Sequence, residues 1–256
     1  MKTYNKLKYI LLLLSVICLF LFNTSCGLDV FYVISAPYEI VHRPSYDSTD
    51  FSDRYFSFWT NEPVSTTGFS FQGTDVYYKI YNNVDNMTSE VNTLQSLSNS
   101  ETTSSTSANK LIDPSTGGGY GYSKLKVQEY YNEPLIPYTG SNQKVYIRLT
   151  DYQNLEEYSA RILIGGSDGS NLYGSASKTI PVRDNRYSFN FGRSGTNDKV
   201  PVSTDSDVKY NSETSDTKWY VAMFAVSVGY DTSYVSVYSN ILYLGSVTID
   251  QAESDN

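Results

Sequence analysis

The chain has 256 residues, of which 27 are acidic and 19 are basic, and its formal net charge is −8. This acidic balance argues against nucleic acid and anionic lipid headgroups as electrostatic partners. Tyrosine occurs 25 times, and because aromatic and β-branched residues favour strands, the composition predicts an all-β protein.

The first 25 residues have the layout of a secretory signal peptide. Lys2, Lys6 and Lys8 form a positive segment without acidic residues, and an apolar stretch over 9–22 follows it. This stretch is shorter than the ~20 residues that span a bilayer. The alternative is an uncleaved anchor helix, but the run stops in small polar residues with no positive cluster after it, which favours cleavage.

The end of the apolar run, Thr24-Ser25-Cys26, resembles a lipobox, the recognition site of bacterial lipoprotein signal peptidase. The resemblance implies that Cys26 is diacylated and becomes the first residue of the mature protein. Asn23 stands where leucine is usual, and the relaxed lipoboxes of spirochaete lipoproteins, whose composition is similar, tolerate this. Gly27 gives no aspartate retention signal, so the resemblance implies an outer-membrane location.

The cysteine content agrees with this interpretation. Cys18 lies in the predicted signal and Cys26 would carry the lipid, so no disulfide is expected in the mature chain. Removal of 25 residues leaves 16 basic and 27 acidic side chains, a formal charge of −11. We therefore expect an acidic exported domain that is held together by its core alone.

The rest of the chain is predicted to contain a lipidated tether over 26–37, one domain over 38–249 and a tail over 250–256. Alternating apolar and polar residues between turn-forming residues predict strands. The predicted strands cover 38–42, 55–60, 75–82, 124–131, 144–150, 160–164, 178–182, 187–191, 219–228 and 235–249.

One helix and two polar insertions interrupt these strands. Apolar residues recur at spacings of three and four over 84–97, which predicts one short helix. Residues 98–121 and 192–217 contain few apolar side chains, so both are expected to be flexible.

Two segments resemble a fibronectin type III domain, an immunoglobulin-like β-sandwich. SFWTNEP, with Trp59, followed by VYYKIY is similar to early strands of that family, and WYVAMFAVSVG followed by VYSNILYLG is similar to its last hairpin. The corner tyrosine of the family falls at Trp219, which has no hydroxyl for that hydrogen bond. Since a type III module needs only ~100 residues, the resemblance implies one sandwich with large insertions, or two sandwiches with a boundary near 98–121. We expect one, because two domains would separate the halves of the motif.

The core of this sandwich is predicted from the same alternation. Phe58 and Trp59 point to opposite faces of their strand, so only one of them can lie between two sheets. The predicted core residues are Phe56, Phe58, Trp59, Val76, Tyr78, Ile80, Val145, Ile147, Leu149, Val221, Met223, Ala225 and Leu242.

Metal and nucleophile chemistry has few candidate residues. His42 is the sole histidine and no free cysteine is expected, so His/Cys metal sites and Ser-His-Asp systems cannot be assembled. Asp205 and Asp207 offer oxygen ligands for calcium, but no complete calcium loop surrounds them. We expect no enzyme activity, no cofactor and no metal site.

Tyrosines are the candidate ligand contacts. An exposed tyrosine offers apolar area and a hydroxyl at low entropic cost, which suits recognition of a protein or a sugar. The alternative is that the tyrosines pack the sandwich faces. The candidates near glycines, prolines and the last hairpin are Tyr120, Tyr122, Tyr130, Tyr131, Tyr230 and Tyr234.

The sequence thus predicts a non-enzymatic cell-envelope lipoprotein. Its expected partners are membrane lipid through acylated Cys26 and a protein or glycan bound by the sandwich loops, without nucleic acid. One alternative is a structural envelope component that binds no small molecule. A remote alternative is a carboxylate-dependent hydrolase using Glu156 and Glu157, which needs a second carboxylate across a cleft.

Overall fold

A computed structural model describes residues 33–64, 68–100, 106–115, 118–127, 134–152, 158–165, 170–171, 179–192, 197–214 and 218–250. Every described residue belongs to one compact unit, within residues 32–256. The signal peptide, the lipobox around Cys26, the candidates Tyr130 and Tyr131, and residues 251–256 lie outside the described residues.

The described residues form mostly strands, with two α-helices. The strands are β1 (Glu39–His42), β2 (Phe56–Trp59), β3 (Ser70–Tyr81), β4 (Ser123–Lys124), β5 (Lys126–Val127), β6 (Ile136–Pro137), β7 (Lys144–Arg148), β8 (Arg161–Ile164), β9 (Ser170–Asn171), β10 (Pro181–Val182), β11 (Val208–Lys209), β12 (Lys218–Tyr230), β13 (Ser236–Tyr238) and β14 (Leu242–Asp250). The helices are α1 (Val84–Ser100) and α2 (Thr106–Ile112), and a 3₁₀ turn spans Phe51–Asp53.

Two sheets account for most of the strands. The five-stranded sheet has the order β1-β2-β7-β8-β9, and all its pairs are antiparallel. The seven-stranded sheet is built on the long antiparallel pair of β3 and β12. In it β12 also pairs with β13 and β14, while β3 also pairs with β4, β6 and, in parallel, β11. Strands β5 and β10 form a separate pair.

The alternation along β3 creates two cores. Val76, Tyr78 and Ile80 pack with Phe56 and Phe58 of the other sheet in one core, so the two sheets form a sandwich. Tyr77 and Tyr81 belong to a second core with residues of α1 and α2. The seven-stranded sheet is therefore covered on both faces, which explains why every position of β12 between its two ends is buried.

The all-β class is confirmed, and the predicted core agrees closely with the structure. Every predicted core residue is buried except Trp59 and Leu242, which are partly buried. The helix predicted over 84–97 is α1, extended to Ser100. None of the described helices is long and apolar enough to span a membrane.

The predicted strand over 187–191 is wrong. The segment is a loop that follows a turn at Asp184 and Asn185, and Phe191 has a positive φ of 36°, which is incompatible with an extended strand. Phe189 and Phe191 are nevertheless buried and fill the sandwich core from this loop.

Helix α2 lies inside the segment expected to be flexible, 98–121. Its Ala108 and Leu111, three residues apart on one face, are fully buried in the second core. The backbone N–H groups of Tyr120 and Tyr122 donate to the carbonyls of Lys110 and Leu111 at 2.8 and 2.9 Å. These contacts fix the tyrosines beside the helix, in place of the mobile arm that the polar composition suggested.

Candidate functional site

A pocket of about 260 Å³ opens at one end of the seven-stranded sheet, beside the turn that joins β12 to β13. Asp75 and Tyr77 enter it from the same face of β3 because they are two residues apart. Lys124 of β4, which pairs with Tyr77, is beside them. Tyr230 and Tyr238 enter from β12 and β13. The pocket therefore combines an acid, a base and three phenol rings.

Asp75 is the most buried charged group of the pocket, with 4% of its surface exposed. The Lys124 Nζ lies 2.8 Å from Oδ1, and the backbone N–H of Leu135 donates to the same oxygen at 2.9 Å. Within the described residues no hydrogen bond reaches Oδ2. Burial raises the pKa of the Asp75 carboxyl, and Lys124 and the Leu135 N–H lower it in part. The second carboxylate oxygen therefore remains available to accept a hydrogen bond.

A glycine sets the position of Leu135. Gly73 has a φ of +143°, and a Cβ built on it would lie 2.1 Å from the carbonyl oxygen of Ile136. Only glycine permits β6 to approach β3 so closely. The same approach places the Leu135 N–H on Asp75.

Tyr77 brings a second polar atom into the pocket. Its side chain is buried, and no hydrogen bond to its hydroxyl forms within the described part of the chain. Burial, together with the nearby Asp75 and Tyr238, raises the pKa of the Tyr77 phenol well above its usual range. The hydroxyl is therefore a protonated donor at neutral pH. Tyr238 is half-buried, and Tyr230 is 40% exposed.

The turn next to the pocket presents a further tyrosine. The N–H groups of Ser233 and Val235 each donate to Asp231 Oδ1 at 2.8 Å, and the Tyr234 N–H donates to the Asp231 carbonyl at 3.1 Å. This arrangement holds Tyr234 at a positive φ of 61°, which costs a non-glycine residue about 1–3 kcal/mol. Tyr234 is 87% exposed and Val235 is also exposed. A hydrogen-bonded turn thus displays apolar surface to solvent.

The sequence-predicted tyrosines have different positions. Tyr230 and Tyr234 lie at this end of the sheet, whereas Tyr120 is half-buried beside α2, with the Lys110 Nζ 4.9 Å from its ring centroid. Tyr122 is 3% exposed; its hydroxyl lies 2.8 Å from that of Tyr81, and its ring meets Phe224 edge-on. Tyr122 is therefore a core residue of the helix-covered face.

Asp75, Tyr77, Lys124 and Tyr238 were not among the predicted site residues. One signal was available in the sequence: Asp75 begins the predicted strand 75–82 on the same face as Tyr77. An acidic side chain on a strand of otherwise buried residues is uncommon and often functional.

Asp205 and Asp207, considered above as calcium ligands, form ion pairs with a buried arginine. The Arg183 Nη2 lies 2.7 Å from Asp205 Oδ2 and 2.7 Å from Asp207 Oδ1, and its Nε donates to Asp207 Oδ2 at 2.9 Å. The Tyr78 hydroxyl also donates to Asp207 Oδ2 at 2.7 Å. Among the described residues no group of three or more His, Cys, Asp or Glu side chains is placed to hold a metal ion.

The other residues considered for catalysis or metal binding are His42, Glu156 and Glu157. The His42 ring stacks on Tyr55 with centroids 3.9 Å apart, and its Nε2 lies 2.8 Å from the Asp53 carbonyl oxygen. Glu156 and Glu157, considered for a hydrolase, lie outside the described residues.

Comparison with known proteins identifies no relative: no protein family, no curated protein and no solved structure matches the chain. The chemistry of the pocket and the turn is therefore the basis on which a function can be inferred.

Proposed function

We propose that the protein is a non-enzymatic, exported lipoprotein, anchored in an outer membrane through Cys26, which binds a protein or a glycan with the β12–β13 end of its sandwich. The observation that carries the proposal is the pocket of three tyrosines around the buried Asp75, next to a turn that exposes Tyr234. Concave sites that combine aromatic walls with a few fixed polar groups are typical of ligand binding.

The arrangement of strands supports the finer fold assignment, a fibronectin type III-like sandwich. In immunoglobulin-like sandwiches strands A, B and E share one sheet, and strands C, F and G form the other. Here β1, β2 and β7 share the five-stranded sheet, while β3, β12 and β14 share the seven-stranded sheet. In such sandwiches the loops at one end are common binding surfaces, and the β12–β13 turn is a loop of this kind.

The turn and the pocket together support binding of a macromolecule. The pocket volume lies just below the ~300 Å³ of the smallest pockets that enclose drug-sized molecules. It therefore holds one group of a larger ligand, and exposed Tyr234 and Val235 offer area for the remainder. Tyrosine is enriched among residues that dominate protein interfaces.

Replacing Tyr230 and Tyr234 together by alanine is expected to abolish ligand retention without altering the fold, because both side chains are exposed at the site. The measurement is a screen of the full-length protein, in detergent, against arrayed glycans and extracellular proteins. Tyr210→Ala is the matched control. Tyr210 is 45% exposed, and it follows β11, which pairs with β3 at its opposite end.

The proposal is contradicted if retained ligands bind the double variant as tightly as the parent. If no arrayed molecule is retained and protease added to intact cells leaves the protein whole, the structural envelope role becomes the better account.

Replacing Cys26 by serine is expected to move the protein from the detergent phase to the aqueous phase in a detergent partition assay, because the thiol that carries the diacylglycerol is lost. Cys18→Ser is the control, since Cys18 lies within the predicted signal and should leave lipidation intact. Partition of Cys26→Ser into detergent to the same extent as the parent would show that the anchor assignment is incorrect.

A further inference from the structure

Two residues that line the pocket, Asp75 and Tyr77, each have a polar side-chain atom that the described residues leave without a hydrogen bond. Both contacts of the Asp75 carboxylate end on Oδ1, so Oδ2 remains available as an acceptor. The Tyr77 hydroxyl remains available as a donor or an acceptor. A ligand that satisfies both atoms must offer at least one hydrogen-bond donor and a second polar group close to it.

The charges of the pocket favour an uncharged ligand. Asp75 and Lys124 are the two charged side chains among the described residues that line it, and they form an ion pair. A cationic ligand group at Asp75 would also meet the Lys124 ammonium, and an anionic one would meet the Asp75 carboxylate. Repulsion in a partly buried site opposes both. Adjacent hydroxyls, by contrast, can donate to the carboxylate and accept from the ammonium.

The walls of the pocket favour a ring with one apolar face. The pocket is lined by Tyr77, Tyr230 and Tyr238 as well as by the ion pair, and a phenol ring has flat apolar faces beside a polar hydroxyl. A pyranose ring has C–H groups on its faces and several hydroxyls at its rim. The carboxamides of Asn and Gln also carry a donor beside an acceptor, but they have no ring face of C–H groups to pack on the phenol rings.

We propose that this pocket binds a pyranose ring of an uncharged glycan, with one sugar hydroxyl donating to Asp75 Oδ2 and the C–H face of the ring packed on tyrosine. This inference rests on the proposed binding function and narrows its ligand from a protein or a glycan to a glycan. The turn with Tyr234 would then contact the neighbouring sugar units.

The test is a titration of the full-length protein with a panel of uncharged methyl pyranosides of different hydroxyl configuration, followed by saturation-transfer NMR. The protein is kept in a detergent without a sugar headgroup, because a sugar headgroup would compete with the pyranosides for the pocket. Asp75→Asn is the first variant. Its amide oxygen can still accept the hydrogen bond from the Leu135 N–H, but its N–H₂ group stands in place of Oδ2 and cannot accept a hydrogen bond from the sugar hydroxyl. At least one pyranoside is expected to bind, and Asp75→Asn should weaken it by about tenfold or more, the usual effect of losing a hydrogen bond to a charged group.

Tyr230→Ala keeps the test decisive if Asp75→Asn fails to fold, because Tyr230 lies at the rim and is partly exposed. Tyr230→Ala should also lower the affinity for the pyranoside, whereas Tyr210→Ala should leave it unchanged. The glycan inference is overturned if no panel member or arrayed glycan binds, or if both pocket variants bind as tightly as the parent. A third outcome would overturn the glycan inference but support the binding function. In it, an arrayed protein from which the glycans have been removed enzymatically binds the parent but does not bind the Tyr230→Ala/Tyr234→Ala variant.

Discussion

Replacement of Phe58 by alanine is expected to lower the free energy of unfolding by ~3–5 kcal/mol, the usual cost of deleting a fully buried phenylalanine. Phe58 has no exposed surface and lies in the core between the two sheets, opposite Val145 of β7. A domain of this size has only ~5–15 kcal/mol of stability in total. The measurement is chemical denaturation of the full-length protein followed by circular dichroism.

Trp59→Ala is the control for Phe58. Trp59 follows Phe58 in β2, points to the other face of the five-stranded sheet and is partly exposed. Trp59→Ala should therefore destabilise the protein clearly less than Phe58→Ala, although it removes more side-chain atoms. Equal or reversed losses for the two variants would mean that the inner face of β2 has been assigned incorrectly.

Replacement of Arg183 by methionine is expected to be as damaging, at ~3–5 kcal/mol, because it leaves a buried carboxylate without its counter-ion. The Arg183 side chain is fully buried, and its main partner Asp207 is 99% buried at the side chain. The pair joins the loop after β10 to the segment before β11, and the Tyr78 hydroxyl ties both to β3. Thermal or chemical denaturation measures the loss.

Two further variants separate the lost charge pair from lost volume. Adding Asp207→Asn to Arg183→Met removes the stranded charge and keeps an acceptor for Tyr78, so part of the stability should return. Lys218→Met is the surface control, because Lys218 is exposed at the start of β12 and should change stability by about 0.5 kcal/mol or less. A loss for Arg183→Met no larger than that of Lys218→Met would contradict the role of the buried pair.

The strands of the sandwich were predictable because their alternation is a local property. Val76, Tyr78 and Ile80 alternate with Tyr77 in β3, and the period of two needs no knowledge of the partner strand. Helix α1 was predictable for the same reason. Helix α2 was not, because Ala108 and Leu111 form too short an apolar pattern in a Ser- and Thr-rich segment, and the helix is stabilised by packing against the second core.

The pocket was only half predictable. Tyr230 and Tyr234 flank or occupy a turn that the sequence places between two strong strands. The pairing of β3 with β4 and β12, and of β12 with β13, brings together Asp75, Lys124 and Tyr238, which are far apart in the chain. A register shift lies between Val228 and Gly229, and a slip of one residue moves side chains to the opposite face. No local pattern specifies such a register.

The same limit applies to Asp205 and Asp207. Their spacing suggested oxygen ligands for a cation, and they do neutralise a cation, the Arg183 guanidinium. The arginine lies more than 20 residues earlier in the chain, and its approach depends on the parallel pairing of β11 with β3. For Tyr122 the error was in the other direction, because its glycine-rich surroundings suggested exposure. Its backbone N–H donates to the Leu111 carbonyl, and its side chain is buried.

We propose that the tyrosine-lined pocket beside the β12–β13 turn binds ligand. Its most direct test is NMR of the full-length protein with ¹³C-labelled tyrosine rings, assigned by single Tyr→Phe replacements and titrated with a molecule retained in the array screen. We expect shifts for the ring signals of Tyr77, Tyr230 and Tyr238, whereas the signals of exposed Tyr38 and Tyr210 should not change. Shifts confined to tyrosines outside the pocket, with Tyr77, Tyr230 and Tyr238 unmoved at saturation, would contradict it.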